Sequence, residues 1–201
     1  MKHFFLIALI SFITLPIYAS QEECIAFHTS TYLTQMPMNF FQQFFAPKDK
    51  RTLAEIVGPL KRNPDYKGWY ESAPVNIPYL GQKIKITFTQ GEDSSFMAGA
   101  EVVLKQFLQL NEANRLNDSK LVERNYQDGV SSSGAEPLNI KSAQDVWNFV
   151  RPTDIFIEKN TNGKYYLAIS CTCEWEKTHG LQLVFREGKK LTRASGHDGQ
   201  Y

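Results

Sequence analysis

The chain has 201 residues, a formal charge of +1, and 14 Phe, 9 Tyr and 3 Trp among its 42% hydrophobic residues. That apolar mass builds a packed interior and excludes a mostly disordered chain. Near-neutral charge, with no Lys/Arg run longer than two residues, argues against nucleic acid as a partner, since polyanion binding shows as a basic surplus gathered on one face.

The first nineteen residues read as an export signal. Lys2 and His3 give a short positive start, Phe4 to Leu15 an almost unbroken apolar run, Pro16 a helix stop, and Ile17-Tyr18-Ala19 a small-residue cleavage site. The run is shorter than the roughly 20 residues that cross a bilayer, so the pattern predicts cleavage near Ala19, no stable membrane anchor, and a periplasmic or secreted protein. Removing residues 1–19 leaves 182 residues with 21 basic and 21 acidic side chains. That length suits one domain with a real core.

Residues 20–50 read as an N-terminal extension. Within it, Phe40, Phe41, Phe44 and Phe45 recur at helical spacing between Pro37 and Pro47, a Phe-rich helix suited to core packing or to seating a lipid or a partner helix. The α+β domain is expected over residues 51–201. Thr52-x-x-Glu55 reads as a capping box for a short helix ending at Gly58-Pro59. Val75 and Ile77, flanked by Pro74 and Pro78, suit an edge strand, and Ile84, Ile86 and Phe88 return across a Leu80-Gly81-Gln82 turn.

The period then becomes helical, with Phe96, Ala100, Val103, Phe107 and Leu110 on one stripe. A second helix is expected over 120–128, stopping at Gly129, then a loop over 131–136 and a short third helix opened by Ser142-x-x-Asp145 and ended by Pro152. Asn162-Gly163 predicts a two-residue hairpin turn, pairing Thr161 with Lys164, Ile157 with Ala168 and Ile155 with Ser170. Alternation then puts Phe156, Tyr165, Leu167, Ile169, Cys171, Cys173 and Trp175 on the core face. Tyr166, Ala168, Ser170, Thr172, Glu174 and Glu176 fall on the other. Leu181–Arg186 and 189–194 form a last hairpin at Glu187-Gly188. The whole predicts a single α+β domain with helices packed on one face of a mainly antiparallel sheet.

Three cysteines in an exported chain leave at least one unpaired. Cys171 and Cys173 stand about 6.6 Å apart on a strand, near the upper limit for a bridge, so the expected disulfide runs from Cys24 to Cys171 or Cys173. The other reading keeps all three reduced, packed as small hydrophobes.

Glu174 and Glu176 share a strand face on this reading, with His179 in the following turn. His197 and Asp198, folded back from the C-terminus, would complete a polar cluster suited to binding, to paired-carboxylate chemistry or to a hard cation. Alternation alone also explains the two glutamates as the solvated face of a half-buried strand. Glu176-x-x-His179 lacks the first histidine of a zincin motif, and Cys171 and Cys173 lie on the predicted core face, so no metal and no cofactor is expected. A Gly-x-Ser-x-Gly elbow, a phosphate-binding Gly loop and a Cys-x-x-Cys pair are all absent from the sequence.

The segment Cys173-Glu174-Trp175-Glu176, followed by His179-Gly180-Leu181-Gln182 and Asp198-Gly199, resembles the last third of a family of small uncharacterised bacterial α+β domains of unknown function. The likeness extends over about residues 55–199 through Leu60–Tyr70, Asn76–Phe88 and Trp147–Pro152. It implies the α+β fold and, for domains of this general kind, an immunity-like role against toxins. Members are typically cytosolic, whereas this chain carries an export pattern and a Phe-rich extension. The function expected from the sequence is an exported, non-enzymatic binding or protective domain acting on another protein at the cell envelope. The alternative is an envelope hydrolase or metal-dependent enzyme centred on Glu174, Glu176 and His179.

Overall fold

A computed structural model describes residues 49–133 and 136–197. The expected signal peptide, the Phe-rich helix, Cys24 and Asp198 lie outside the described residues.

The domain opens with α1 (Leu53–Val57), whose Thr52 and Glu55 form the expected capping box: the Glu55 carboxylate accepts the Thr52 N–H at 2.6 Å and Thr52 Oγ1 accepts the Glu55 N–H at 3.3 Å. Two short strands follow, β1 (Lys61–Arg62) and β2 (Tyr70–Glu71). The Pro-flanked strand β3 (Val75–Ile77) then pairs with β4 (Gln82–Ile84) as a separate two-stranded sheet, the predicted hairpin. The return strand does not run on uninterrupted. It breaks at Lys85, and β5 (Ile86–Phe88) joins the main sheet instead.

Two helices come next. Helix α2 (Ser94–Phe107) is capped by Asp93, whose carboxylate accepts the Ser95 and Phe96 N–H groups, and it buries Phe96, Ala100, Val103 and Phe107 of the expected stripe together with Leu104, while Leu110 lies beyond the helix and is half-buried. Helix α3 (Glu112–Ser133) is much longer than expected and runs straight through Gly129. Gly129 is there for space: a Cβ at this position would sit 2.9 Å from Cδ1 of Trp175, so the bare backbone lets the indole pack against the helix. The third helix is a 3-10 turn, Ala143–Phe149, with the Asp145 carboxylate accepting the Lys141 and Ser142 N–H groups.

The remaining strands are β6 (Val150–Lys159), β7 (Tyr165–Cys173), β8 (Leu181–Arg186) and β9 (Lys190–Ser195). The seven-stranded sheet has the order β1-β2-β5-β6-β7-β8-β9, antiparallel throughout except for the parallel pair β5–β6. That pair is what makes the sheet mixed. Its connection passes through α2, α3 and the 3-10 turn, the long crossover a parallel pair needs.

The β6–β7 register differs by one residue from the sequence reading. Ile157 pairs with Leu167 and Ile155 with Ile169. The Asn-Gly turn is the cause: Gly163, at φ 76°, donates to the Asn160 carbonyl, and Asn160 Oδ1 accepts the Asn162 and Lys164 N–H groups, giving a three-residue loop in place of a two-residue one. A one-residue slip reverses the faces of the partner strand. Ile155 and Ile157 therefore fill the core, while Phe156 is half-buried on the opposite face against Trp69, at a centroid distance of 5.9 Å.

Along β7 the expected face is the buried one, with Leu167, Ile169, Cys171 and Cys173 all in the core. Leu181, Leu183 and Phe185 of β8 and Leu191 of β9 extend that face by register. Helix α2 packs on it through Phe107 against Phe185, ring centroids 4.9 Å apart, and α3 adds Val122 and Tyr126. Tyr79 closes one end of the core, donating its hydroxyl to Asp118 at 3.1 Å. Among the described residues no helix is long and apolar enough to cross a membrane.

Candidate functional site

Strand β7 ends at Cys173, and the polar segment beyond it is a bend and turn rather than more strand. The alternation that put Glu174 and Glu176 on one strand face therefore does not reach them. Side chains instead fix the turn from within. The Trp175 indole is buried, donates Nε1–H to Asn125 Oδ1 at 3.0 Å and meets Tyr126 edge-on at 5.6 Å, so it anchors the turn to α3. Gly180 closes the turn at φ 65°, where a Cβ would lie 2.6 Å from the Cys171 carbonyl oxygen.

Glu176 is the local cap. Its Oε1 accepts the Thr178 N–H at 2.9 Å and the His179 N–H at 3.1 Å, and these bonds, that from His179 first, hold the carboxyl below its ordinary range. His179 Nδ1 lies 3.6 Å from the same oxygen. Glu174 donates its backbone N–H to the Phe149 carbonyl, and its exposed carboxylate has no hydrogen-bond or ion-pair partner among the described residues. Glu174, Lys177, Thr178 and His179 all face solvent.

The structure brings Gly196, near the C-terminal end of the described chain, beside this turn. A Cβ at Gly196 would lie 3.9 Å from His179 Cβ. His197, however, does not join Glu176. Its Nε2 lies 2.7 Å from Ser170 Oγ, on the sheet face away from the helices. In the sequence, Ser170 reads as one more polar residue on the solvent face of β7. In the fold it is buried, and its strand neighbour Gln182 is buried as well.

Cys171 and Cys173 are buried and form no disulfide among the described residues, and burial pushes both thiols upward, Cys173 to about 11 and Cys171 further. Among the described residues no three His, Cys, Asp or Glu side chains gather as a metal site would require. Two clefts of about 390 and 400 Å³ lie elsewhere, the first between α1, the β3–β4 hairpin and the end of α2. Two of its cations are already paired, Arg51 with Asp49 and Lys105 with Glu101.

Residues 56–201 match the model of a domain of unknown function, DUF6985. The chain belongs to that family. No curated protein and no solved structure matches it. The DUF6985 match takes in every element from β1 onward, together with the Trp175 turn and the Ser170–His197 contact.

Proposed function

We propose that the chain is an exported binding or protective domain that acts on another protein at the cell envelope through the turn from Glu174 to His179. The observation that carries this reading is how the turn is held: Trp175 anchors it below, Glu176 caps it and Gly180 closes it, while Glu174, Lys177, Thr178 and His179 stand exposed. A polar loop fixed in this way loses little conformational freedom when a partner docks. Export rests on the pattern of residues 1–19, and a protein partner on the balanced charge of residues 20–201.

The alternative, an envelope hydrolase or metal-dependent enzyme centred on Glu174, Glu176 and His179, has less support. The Glu176 oxygen that would do the chemistry already accepts two N–H bonds of its own turn.

The test uses full-length tagged chain recovered from the periplasmic fraction, with a Glu174→Gln/Glu176→Gln double variant beside it. We expect one partner to co-purify with the parent and to be lost from the variant, and the mature chain to begin near Ser20 by intact mass. Equal recovery by both proteins removes the turn's role. A retained segment 1–19 in the membrane fraction removes the export claim.

A further inference from the structure

Three parts of the chain enclose a cleft of about 390 Å³: Asp49, Arg51 and Ile56 at the start of the domain, the β3–β4 hairpin, and Lys105 and Leu108 at the end of α2. That volume falls near the low end of small-molecule sites, about 300–1,000 Å³. Three cations line the cleft against one carboxylate, and two of the three are engaged. The Asp49 carboxylate accepts Arg51 Nε–H at 3.0 Å through Oδ1 and at 3.1 Å through Oδ2, and Lys105 Nζ lies 2.6 Å from Glu101 Oε1. Lys83 is the third. It stands directly opposite Asn76 in the hairpin, so the two side chains leave one face with their Cβ atoms about 5 Å apart. Both are exposed in the cleft, and neither side chain has a hydrogen-bond or ion-pair partner among the described residues. The rest of the wall is mainly apolar, with Ile56, Val75 and Leu108 half-buried and Pro74 and Pro78 on either side of β3.

We propose that this cleft binds a small monocarboxylate carried on a short apolar chain. The Lys83 ammonium donates to one carboxylate oxygen and the Asn76 amide N–H to the other, so charge and hydrogen bonding converge at one point of the cleft. The single unengaged cation sets the charge of the ligand. A phosphate dianion calls for a second cation or a bidentate guanidinium, and the Arg51 fork is already closed on Asp49. The apolar chain of the acid lies along Ile56, Val75 and Leu108, which leave water as it enters. Pro74 and Pro78 restrict the backbone on both sides of Asn76, so its amide is presented with little ordering left to be lost on binding.

The proposal goes beyond the binding reading and does not depend on it, since the turn from Glu174 to His179 contributes no residue to the cleft. The experiment follows the backbone amide resonances of isotope-labelled full chain during titration with butanoate, hexanoate, hexanol and inorganic phosphate at constant pH and ionic strength. We expect saturable shifts at Asn76, Lys83 and Leu108 with hexanoate, and an affinity that rises about fourfold per methylene from butanoate to hexanoate as the chain leaves water. Hexanol, which has the chain without the charge, should bind about tenfold more weakly or worse, and phosphate more weakly than hexanoate. Lys83→Gln changes an exposed side chain and leaves the core intact, so it should weaken hexanoate about tenfold while leaving hexanol unchanged. Hexanol or phosphate binding as tightly as hexanoate overturns the proposal, as does hexanoate affinity unaltered in Lys83→Gln. Saturable shifts confined to residues outside the cleft, or none at millimolar hexanoate, overturn it as well. Partner capture by the turn would stand in each of those cases.

Discussion

The Trp175 indole occupies the space that a side chain at position 129 would need, with its Cδ1 2.9 Å from where the Cβ would be. Two opposing terms then govern Gly129→Ala. Replacing a helical glycine by alanine gains about 1 kcal/mol of helix propensity, whereas overpacking a buried site costs about 1–3 kcal/mol. Trp175 is buried and tied to Asn125, so the ring has little room to yield. We expect Gly129→Ala to be net destabilising by about 1 kcal/mol in urea unfolding, and the loss to shrink when Trp175→Phe is introduced as well. A more stable single variant would show that the indole moves aside.

The β6 register has its own test. Ile157 is fully buried opposite Leu167, whereas Phe156 is half-buried on the other face beside Trp69. Ile157→Ala should cost about 2–5 kcal/mol, as cavity-forming core truncations do. Phe156→Ala should cost less, despite removing the larger side chain. The reverse order in denaturant midpoints would favour the two-residue turn that the Asn-Gly pair alone suggests.

Local patterns were legible where a single element controls them. The Phe96–Phe107 stripe, the Thr52–Glu55 box and the buried face of β7 follow from periodicity or from short-range hydrogen bonds. The register failed because Asn162-Gly163 serves both a two-residue loop and a three-residue loop with a left-handed glycine, and the Asn160 side chain decides between them. Helix α3 was cut short because Gly129 reads as a stop unless Trp175, 46 positions later, is known to pack on it. The parallel pairing of Ile86 with Ile155 depends on a contact across the whole helical block. The candidate site was half legible. Glu174, Glu176 and His179 do share one turn, but the destination of His197 depends on how the chain bends after β9, and no local signal marks Ser170 as its partner.

Thiol chemistry checks the core face of β7. Burial pushes Cys173 up to about 11 and Cys171 further, so thiolate is scarce at pH 8 and access is poor. In a Cys24→Ser chain, which leaves only these two thiols, iodoacetamide should label native protein slowly, Cys171 more slowly than Cys173, and both quickly in denaturant. Rapid native labelling of both would overturn the burial of that face of β7. In the parent chain, a denatured but unreduced sample that takes up one label would reveal a bridge from Cys24.

Acid should loosen the Glu174–His179 turn before it unfolds the domain. The Glu176 carboxyl is held below its ordinary range by the His179 and Thr178 N–H groups, so the folded turn prefers the ionised form. A depressed folded-state pKa gives stability that is fully present above the ordinary carboxylate value and is lost as pH falls through the lowered one. Because Glu176 reaches into solvent, the effect belongs to the turn more than to the fold. We expect the Thr178 and His179 amide resonances to shift and their exchange protection to fall together in that acid window, while core amides such as those of Ile155 and Leu183 stay unchanged. Glu176→Gln keeps a carbonyl acceptor for both N–H groups but removes the ionisation, so in that variant the turn amides should lose their acid dependence with global stability little altered. Turn amides indifferent to acid in the parent, or equally sensitive in the variant, would mean that another group holds the turn, and the rigid presentation of Glu174 and His179 would lose its physical basis.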